Sequence, residues 1–377
     1  DLTGLATGAV AEFELSRKDA SRTKNMFALG LLSWLYSRPT EGTVRFLSQK
    51  FAKKPLIRDS NIAAFNAGYA FGETTEVFEV RYHVARAPMA KGRYRQISGN
   101  LATAYGLITG AHKAGLQLFL GSYPITPASD ILHELSRRKD LGVMTFQAED
   151  EIAGVGSAIG AAYGGMLAVT TTSGPGVALK SEAIGLAVSL ELPLVIVDVQ
   201  RGGPSTGLPT KTEQADLLQA MFGRNGESPV PVIAPSSPAD CFSAAFEACR
   251  IALTHRTPVI MLSDAYLANG SEPWLVPDAG SLPTIDPGFA TEANTEQGTF
   301  APYHRDPLTL DRPWAIPGTP GLEHRIGGLE KSNGLGTISY DGDNHDTMVE
   351  LRAEHIARIA VPGATWDDPS GVAKLAV

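Results

Sequence analysis

Between residues 98 and 270, runs of helical period alternate with short apolar runs six times, and no other feature constrains the fold as tightly. "LATAYGLITGAHKAG" leads to "LQLFLG", "PASDILHELSRRKDLG" to "VMTFQ", and "EIAGVGSAIGAAYGG" to "LAVTTT". "ALKSEAIGLAVSLE" then leads to "LPLVIVDV", "TKTEQADLLQAMFG" to "PVPVIA", and "PADCFSAAFEACRIALTH" to "PVIMLSD". Unbroken apolar strands belong in a sheet that is covered on each side, because each residue then finds a dry neighbour whichever way it points. The expectation is an α/β fold: a mainly parallel sheet with helices on both faces.

The flanks read differently. Residues 1–90 hold three helix-period runs, "RTKNMFALGLLSWLY", "EGTVRFLSQKFAKKP" and "RDSNIAAFNAGYAFGE", which look like the end of a preceding domain, and 91–97 read as a linker. Residues 98–270 form the central domain. Residues 271–370 are rich in Gly, Pro and Asp, with one helix expected in "DTMVELRAEHIARIA", and read as an extended arm between domains, being too long for an idle loop. Residues 371–377, ending "AKLAV", read as the start of a further domain, so the chain looks like a piece of a longer polypeptide.

Composition narrows the function classes. No apolar run approaches the roughly 18 residues of a membrane span, so no membrane partner is expected. A net charge of −8 argues against binding nucleic acid through its phosphates, which needs clustered Lys and Arg. Only two cysteines, Cys241 and Cys249, and no secretory segment fit a reducing cytoplasm. They lie eight apart on one helix and read as core packing, since two thiols cannot supply the four ligands of an iron–sulfur cluster.

Ligands of an open parallel sheet sit beyond the carboxyl ends of its strands, and four distinctive stretches fall there. In "YPITPAS", Pro124 and Pro127 fix their own φ and push the residues before them out of the helical region, which makes Thr126 a rigid hydroxyl or, equally, part of a helix entry. "QAEDE" places three carboxylates at a helix start, where the dipole favours them. Glu149 follows a buried run and could face a ligand nitrogen, whereas Asp150 reads as a cap. In "TSGPG", Gly174 and Gly176 let backbone come close to a ligand. Leu179 stands where a phosphate-binding loop would need glycine before Lys180, and a third glycine is missing for a dinucleotide fingerprint. "QRGGPSTGLPT" puts Arg201 just past a strongly apolar strand, either on the surface or turned inward, where its planar fork suits a carboxylate with Thr210 as a second donor. No metal site is expected: "DGDNHD" at 341–346 lacks the calcium-loop spacing and reads as a polar turn, and no HExxH occurs.

Taken in order, "YPITPAS", "QAEDE", "TTTSGPG" and "QRGGPSTGLPT" closely resemble the alpha subunit of 2-oxoacid:ferredoxin oxidoreductases, with the 2-oxoglutarate-using subgroup the most similar. The resemblance covers 98–270 as the pyrimidine-binding domain of the thiamine diphosphate fold. "RTKNMFALGLLSW" is similar to the end of a gamma-type domain fused in front, and "GLEHRIGGLEK" with "ISYD" to the family's following segment. It implies conversion of a 2-oxo acid and coenzyme A to acyl-CoA, CO2 and reduced ferredoxin. In such enzymes a glutamate bonds the pyrimidine N1′ and promotes the imino tautomer that deprotonates the thiazolium. Glu149 matches it, with Glu151 as the competing candidate, and the carboxylate should lie in a desolvated pocket.

By the same resemblance, Tyr123, Thr126, Arg201 and Thr210 hold substrate, and Pro124, Ile125, Thr126, Glu149, Ser173 and Gly174 hold cofactor. Thr126 and Arg201 join Glu149 as catalytic residues. A Mg2+-diphosphate motif and a [4Fe-4S] cysteine set are missing from the sequence, and both are implied for a beta subunit, with an (alpha-beta)2 heterotetramer as the assembly. Other readings stay open: a pyruvate or branched-chain 2-oxoacid enzyme of the same family, a transketolase-like or sulfopyruvate decarboxylase-like half, or a non-catalytic coenzyme-binding α/β module.

Overall fold

Asp1–Lys91 forms one unit and Gly92–Val377 another in the computed structural model, which describes residues 1–75, 78–363 and 371. The first unit holds helices α1 (Leu2–Ala9), α2 (Arg17–Arg22), α3 (Lys24–Leu35), α4 (Glu41–Lys50) and α5 (Pro55–Thr74). The three long ones are those the periodicity predicts. α3 and α5 cross where both lack side chains: a Cβ on Gly30 would sit 1.9 Å from the Phe65 carbonyl oxygen, and one on Gly68 1.9 Å from that of Phe27.

The second unit begins with β1 (Tyr94–Ser98), α6 (Gly99–Ala114), β2 (Leu118–Ser122), α7 (Ser129–Leu135), β3 (Met144–Gln147) and α8 (Glu151–Tyr163). It continues through β4 (Leu167–Thr172), α9 (Gly174–Leu190), β5 (Leu194–Gln200), α10 (Leu217–Phe222), β6 (Val232–Ile233) and α11 (Asp240–His255). β7 (Pro258–Asp264), α12 (Ala265–Asn269), β8 (Ser271–Leu275) and α13 (Gly342–Ala357) complete it. Six strands make one parallel sheet in the order β3-β2-β4-β5-β7-β6. All six predicted strands are there, each in place after its helical run.

Side-chain alternation explains the two layers. Val195, Val197 and Val199 join the cluster that holds α6, α7 and α11, whereas Leu194 and Ile196 join the one that holds α8 and α9. β4, β5 and β7 are buried throughout, and the edge strand β3 is largely exposed. Cys241 and Cys249 are free and fully buried. A Cβ on Gly110 of α6 would lie 2.7 Å from the Cβ of Cys249, so this thiol fills a close helix contact.

Two expectations are corrected. The 91–97 linker contains β1, which pairs antiparallel with β8, so the boundary expected after 270 falls inside a two-stranded ribbon. The segment after 271 is no free-standing arm: Ile285 and Trp314 enter the main core, and Arg312 and Tyr303 are buried against the end of α9. The expected helix is α13, begun a few residues early because Asp341 caps it by accepting from Asn344 N at 2.7 Å. That cap is the function of the polar turn "DGDNHD". The expected strand at 373–377 lies outside the described residues.

Candidate functional site

The chain goes from β2 to β3 on one side and returns to β4 on the other, so the sheet order reverses between β2 and β4. A crevice opens at such a reversal, beyond the carboxyl ends of the strands. All four distinctive stretches lie along this rim, because they follow β2, β3, β4 and β5, which are neighbours in the sheet. At the reversal itself, the buried Ser122 hydroxyl meets Thr171 at its carbonyl (2.8 Å) and hydroxyl (2.7 Å).

The proline corner after β2 is tied from two directions. Arg201, just past β5 and only 8% exposed, donates from one amino group to the Thr126 carbonyl and from the other to the Thr206 carbonyl at 3.4 Å. Asn100, buried on α6, donates to the Pro127 carbonyl at 2.9 Å. The Thr126–Pro127 peptide is cis, and α7 starts at Ser129. Arg201 therefore turns inward and joins Thr126, as one of the two readings of the sequence has it. Its Nε is buried without a hydrogen-bond partner among the described residues. Tyr123 and Thr126 are exposed, and Pro124 and Ile125 are half-buried beside them. Thr210 is exposed on the loop after β5.

The acids separate sharply. Asp150 caps α8, accepting from Ala153 N at 2.7 Å, as its position predicts. Glu149, expected in a desolvated pocket, is exposed on this chain; it leaves an edge strand that has no neighbour on its outer side. The buried acid is Glu151, 8% exposed, in the first turn of α8. Its Cγ lies 3.1 Å from where a Cβ on Gly176 would stand, so it packs against the first turn of α9. The two glycines there are also filled by protein: a Cβ on Gly174 would meet the Asp216 carboxylate at 2.5 Å, and one on Gly176 the Thr172 hydroxyl at 1.9 Å. Ser173, the residue before α9, is fully buried and its hydroxyl has no partner among the described residues.

Beneath this rim is a charged cluster that the sequence reading missed. Lys180 of α9 and Asp198 of β5 are both fully buried. Burial pushes the Lys180 ammonium down to about 8, against the opposing pull of Glu151, Asp198 and Asp150. Burial, and then the neighbouring Asp216, push the Asp198 carboxyl well above the usual range. Burial also raises Asp216. Among the described residues, neither oxygen of Asp198 has a hydrogen-bond partner. The signal in the sequence is a lone acid inside "LVIVDVQ", where an uncompensated charge is costly.

The loop from 201 to 216 closes over the cluster. Gln200 accepts from Asp216 N at 3.0 Å, Gln219 donates to the Gly174 carbonyl at 3.1 Å, and Gln214 donates to Asp264 at 2.7 Å. Gly174, Pro175, Leu179, Arg201, Asp216 and Gln219 face a cleft of about 640 Å3, large enough for part of a cofactor. Away from the rim, His255, Asp311 and His355 bring their donor atoms within 4.8 Å of one another. Both imidazoles hydrogen-bond the same Asp311 oxygen, at 3.0 and 2.8 Å, and Arg256 approaches its other oxygen at 4.0 Å, so the arrangement is a charge cluster.

Comparison with known proteins gives the family. Residues 109–341 match the family described as pyruvate flavodoxin/ferredoxin oxidoreductase, thiamine diphosphate-binding. The chain is 60% identical to the 2-oxoglutarate oxidoreductase subunit KorA of Mycobacterium tuberculosis over 99% of its own length and 57% of the relative's. It is 34% identical to the alpha subunit of 2-oxoacid:ferredoxin oxidoreductase 1 of Aeropyrum pernix, over 93% of this chain and 54% of that one. The solved 2-oxoglutarate:ferredoxin oxidoreductase of Magnetococcus marinus, with 2-oxoglutarate, coenzyme A and succinyl-CoA bound, superposes with a TM-score of 0.80 at 35% identity, covering 94% of this chain and 59% of that one. The chain thus spans just over half the length of these relatives.

Proposed function

Since the chain belongs to the thiamine diphosphate-binding family of pyruvate flavodoxin/ferredoxin oxidoreductases, we propose that it is the alpha-subunit portion of a 2-oxoglutarate:ferredoxin oxidoreductase. The observation that carries the reading is a single buried acid, Glu151, at a rim where Arg201 fixes the corner of Thr126. The names of the relatives, and the 2-oxoglutarate and succinyl-CoA in the Magnetococcus marinus structure, favour 2-oxoglutarate over pyruvate or branched-chain acids and over a non-catalytic module.

The residues present fit the cofactor's aminopyrimidine half. A desolvated carboxylate bonds a ring nitrogen strongly, and Glu151 supplies one where Glu149 does not. Ser173 Oγ and Arg201 Nε are buried polar atoms without partners among the described residues. Thiamine diphosphate, when bound, supplies the electron sink for oxidative decarboxylation of the 2-oxo acid. Glu151 holds the proton at the ring nitrogen; Arg201, with donors beyond those given to Thr126 and Thr206, holds the substrate carboxylate, with Tyr123, Thr126 and Thr210 around it.

The rest of the site comes from a beta subunit, which carries Mg2+, the diphosphate contacts and the [4Fe-4S] cluster that reduces ferredoxin. Phe146, Ile152, Leu179, Leu218 and Phe222, all at or near the rim, are exposed on this chain and are covered by that subunit in a cytoplasmic (alpha-beta)2 heterotetramer. The test is to purify the chain with its partner and follow ferredoxin reduction by a panel of 2-oxo acids with coenzyme A. Glu151→Gln should abolish turnover while the complex assembles, and Glu149→Gln should act far more mildly. The reverse ranking would return the role to Glu149.

A further inference from the structure

Lys180 is fully buried, and among the described residues its ammonium makes no hydrogen bond. Lys331, equally buried, shows what a structural lysine does here: it donates to Ser189 Oγ at 3.1 Å and to the carbonyls of Gly327 and Leu329 at 2.9 and 3.1 Å. A buried polar group left unmatched in a core that satisfies others calls for a functional reason.

The surroundings supply one. Gly176 and Lys180 are four residues apart on α9 and share a face, and Glu151 packs against Gly176. Asp198 has the same parity on β5 as Leu194 and Ile196, which point to α8 and α9, so it approaches Lys180 from beneath. The charged groups facing Lys180 are therefore Glu151 and Asp150 from the start of α8 and Asp198 from β5, with Asp216 behind Asp198 and Glu213 beside Asp216.

We propose that Lys180 is a positioning residue for Glu151: a buried ammonium, held between that carboxylate and the Asp198–Asp216 pair, which sets the charge and orientation of the acid at the site. The proposal rests on the reading of Glu151 above. Lys180 acts through Glu151. At neutral pH the amine is charged, since burial lowers it only to about 8, so the buried acid has a cation near it.

The experiment compares Lys180→Met, Lys180→Gln and Lys180→Arg in the assembled complex. Two quantities are followed against pH: kcat/KM with 2-oxoglutarate, and thiamine diphosphate affinity by calorimetry. In the uncharged variants the acidic limb of both profiles should move up by about one pH unit, as loss of a neighbouring opposite charge demands. Lys180→Arg should restore it, and Lys180→Met should weaken thiamine diphosphate binding by Glu151→Gln no further. Lys180→Gln, polar but uncharged, serves if the Met variant does not fold.

Profiles that keep their shape in the uncharged variants, or losses that multiply with Glu151→Gln, would overturn the proposal. If Glu151→Gln itself stays active, it is the underlying reading of the site that fails. An inactive Glu151→Gln with unmoved Lys180 profiles sinks only the role of Lys180.

Discussion

Replacing Arg201 with lysine isolates what its fork contributes. One amino group donates to the Thr126 carbonyl and the other to the Thr206 carbonyl at 3.4 Å, so one guanidinium joins the corner after β2 to the loop after β5. A lysine has a single terminal nitrogen and can serve one carbonyl at a time. The 3.4 Å contact is near the limit of a hydrogen bond, so the loss amounts to about one charged bond, roughly 1.5 to 3 kcal/mol. If the corner must be in place for the reaction, kcat/KM falls about 10- to 150-fold. Ferredoxin reduction by the assembled complex, with the thermal midpoint measured alongside, gives both numbers. A rise in KM alone would mean that Arg201 serves the substrate and not the corner. A kcat/KM within about threefold of the parent, at an unchanged midpoint, would refute the anchoring argument outright.

Two further outcomes follow from packing and charge. Burial raises the Asp311 carboxyl, but hydrogen bonds from His255 and His355 outweigh it and hold the group well below the usual range. A depressed carboxylate stabilises the fold above its unfolded pKa of about 4 and loses that contribution as pH falls, so Asp311→Asn should lower the thermal midpoint at neutral pH and converge with the parent in acid. Gly176→Ala drives a Cβ to 1.9 Å from Thr172 Oγ1 and should cost about 1 to 3 kcal/mol in denaturant titration. Gly160→Ala, exposed on α8 with nothing within 4 Å of the new carbon, should instead stabilise by about 0.5 to 1 kcal/mol.

The parallel sheet was legible because each strand and helix states its own period, and burial on both faces leaves "LVIVDV" little other use. The ribbon was not. "YRQIS" and "SEPWL" each bury little by themselves, and their pairing joins positions far apart in the chain, which no local pattern announces. Among the acids the sequence favoured Glu149 over Glu151, and the buried one is Glu151. Asp150 was readable as the cap, and a cap at 150 puts Glu151 in the first helical turn, where it faces α9, and leaves Glu149 outside the helix. Lys180 and Asp216 were silent for another reason: their meaning lies in their approach to Asp198 across α9, β5 and the closing loop, and each looks ordinary in its own segment.

The stretch after 271, which sequence alone made an arm, has a part in the same site from a distance. Arg312 donates from Nε to the carbonyls of Leu190 and Glu191 at 3.1 and 2.9 Å, Tyr303 donates to Leu190 at 3.3 Å, and Arg305 pairs with Glu191. These are carbonyls at the end of α9 that no further helical turn satisfies, and cations there also meet the negative end of the dipole. The helix is 17 residues, about 25 Å, so fixing its far end fixes the depth and rotation of its first turn. That turn carries Gly174 and Gly176, and Lys180 follows on the face that Glu151 packs against. A slide of α9 by even a fraction of a turn would separate the two charges or drive Gly176 into Thr172. The buried arginine end and the rim acid are thus two ends of one rigid element.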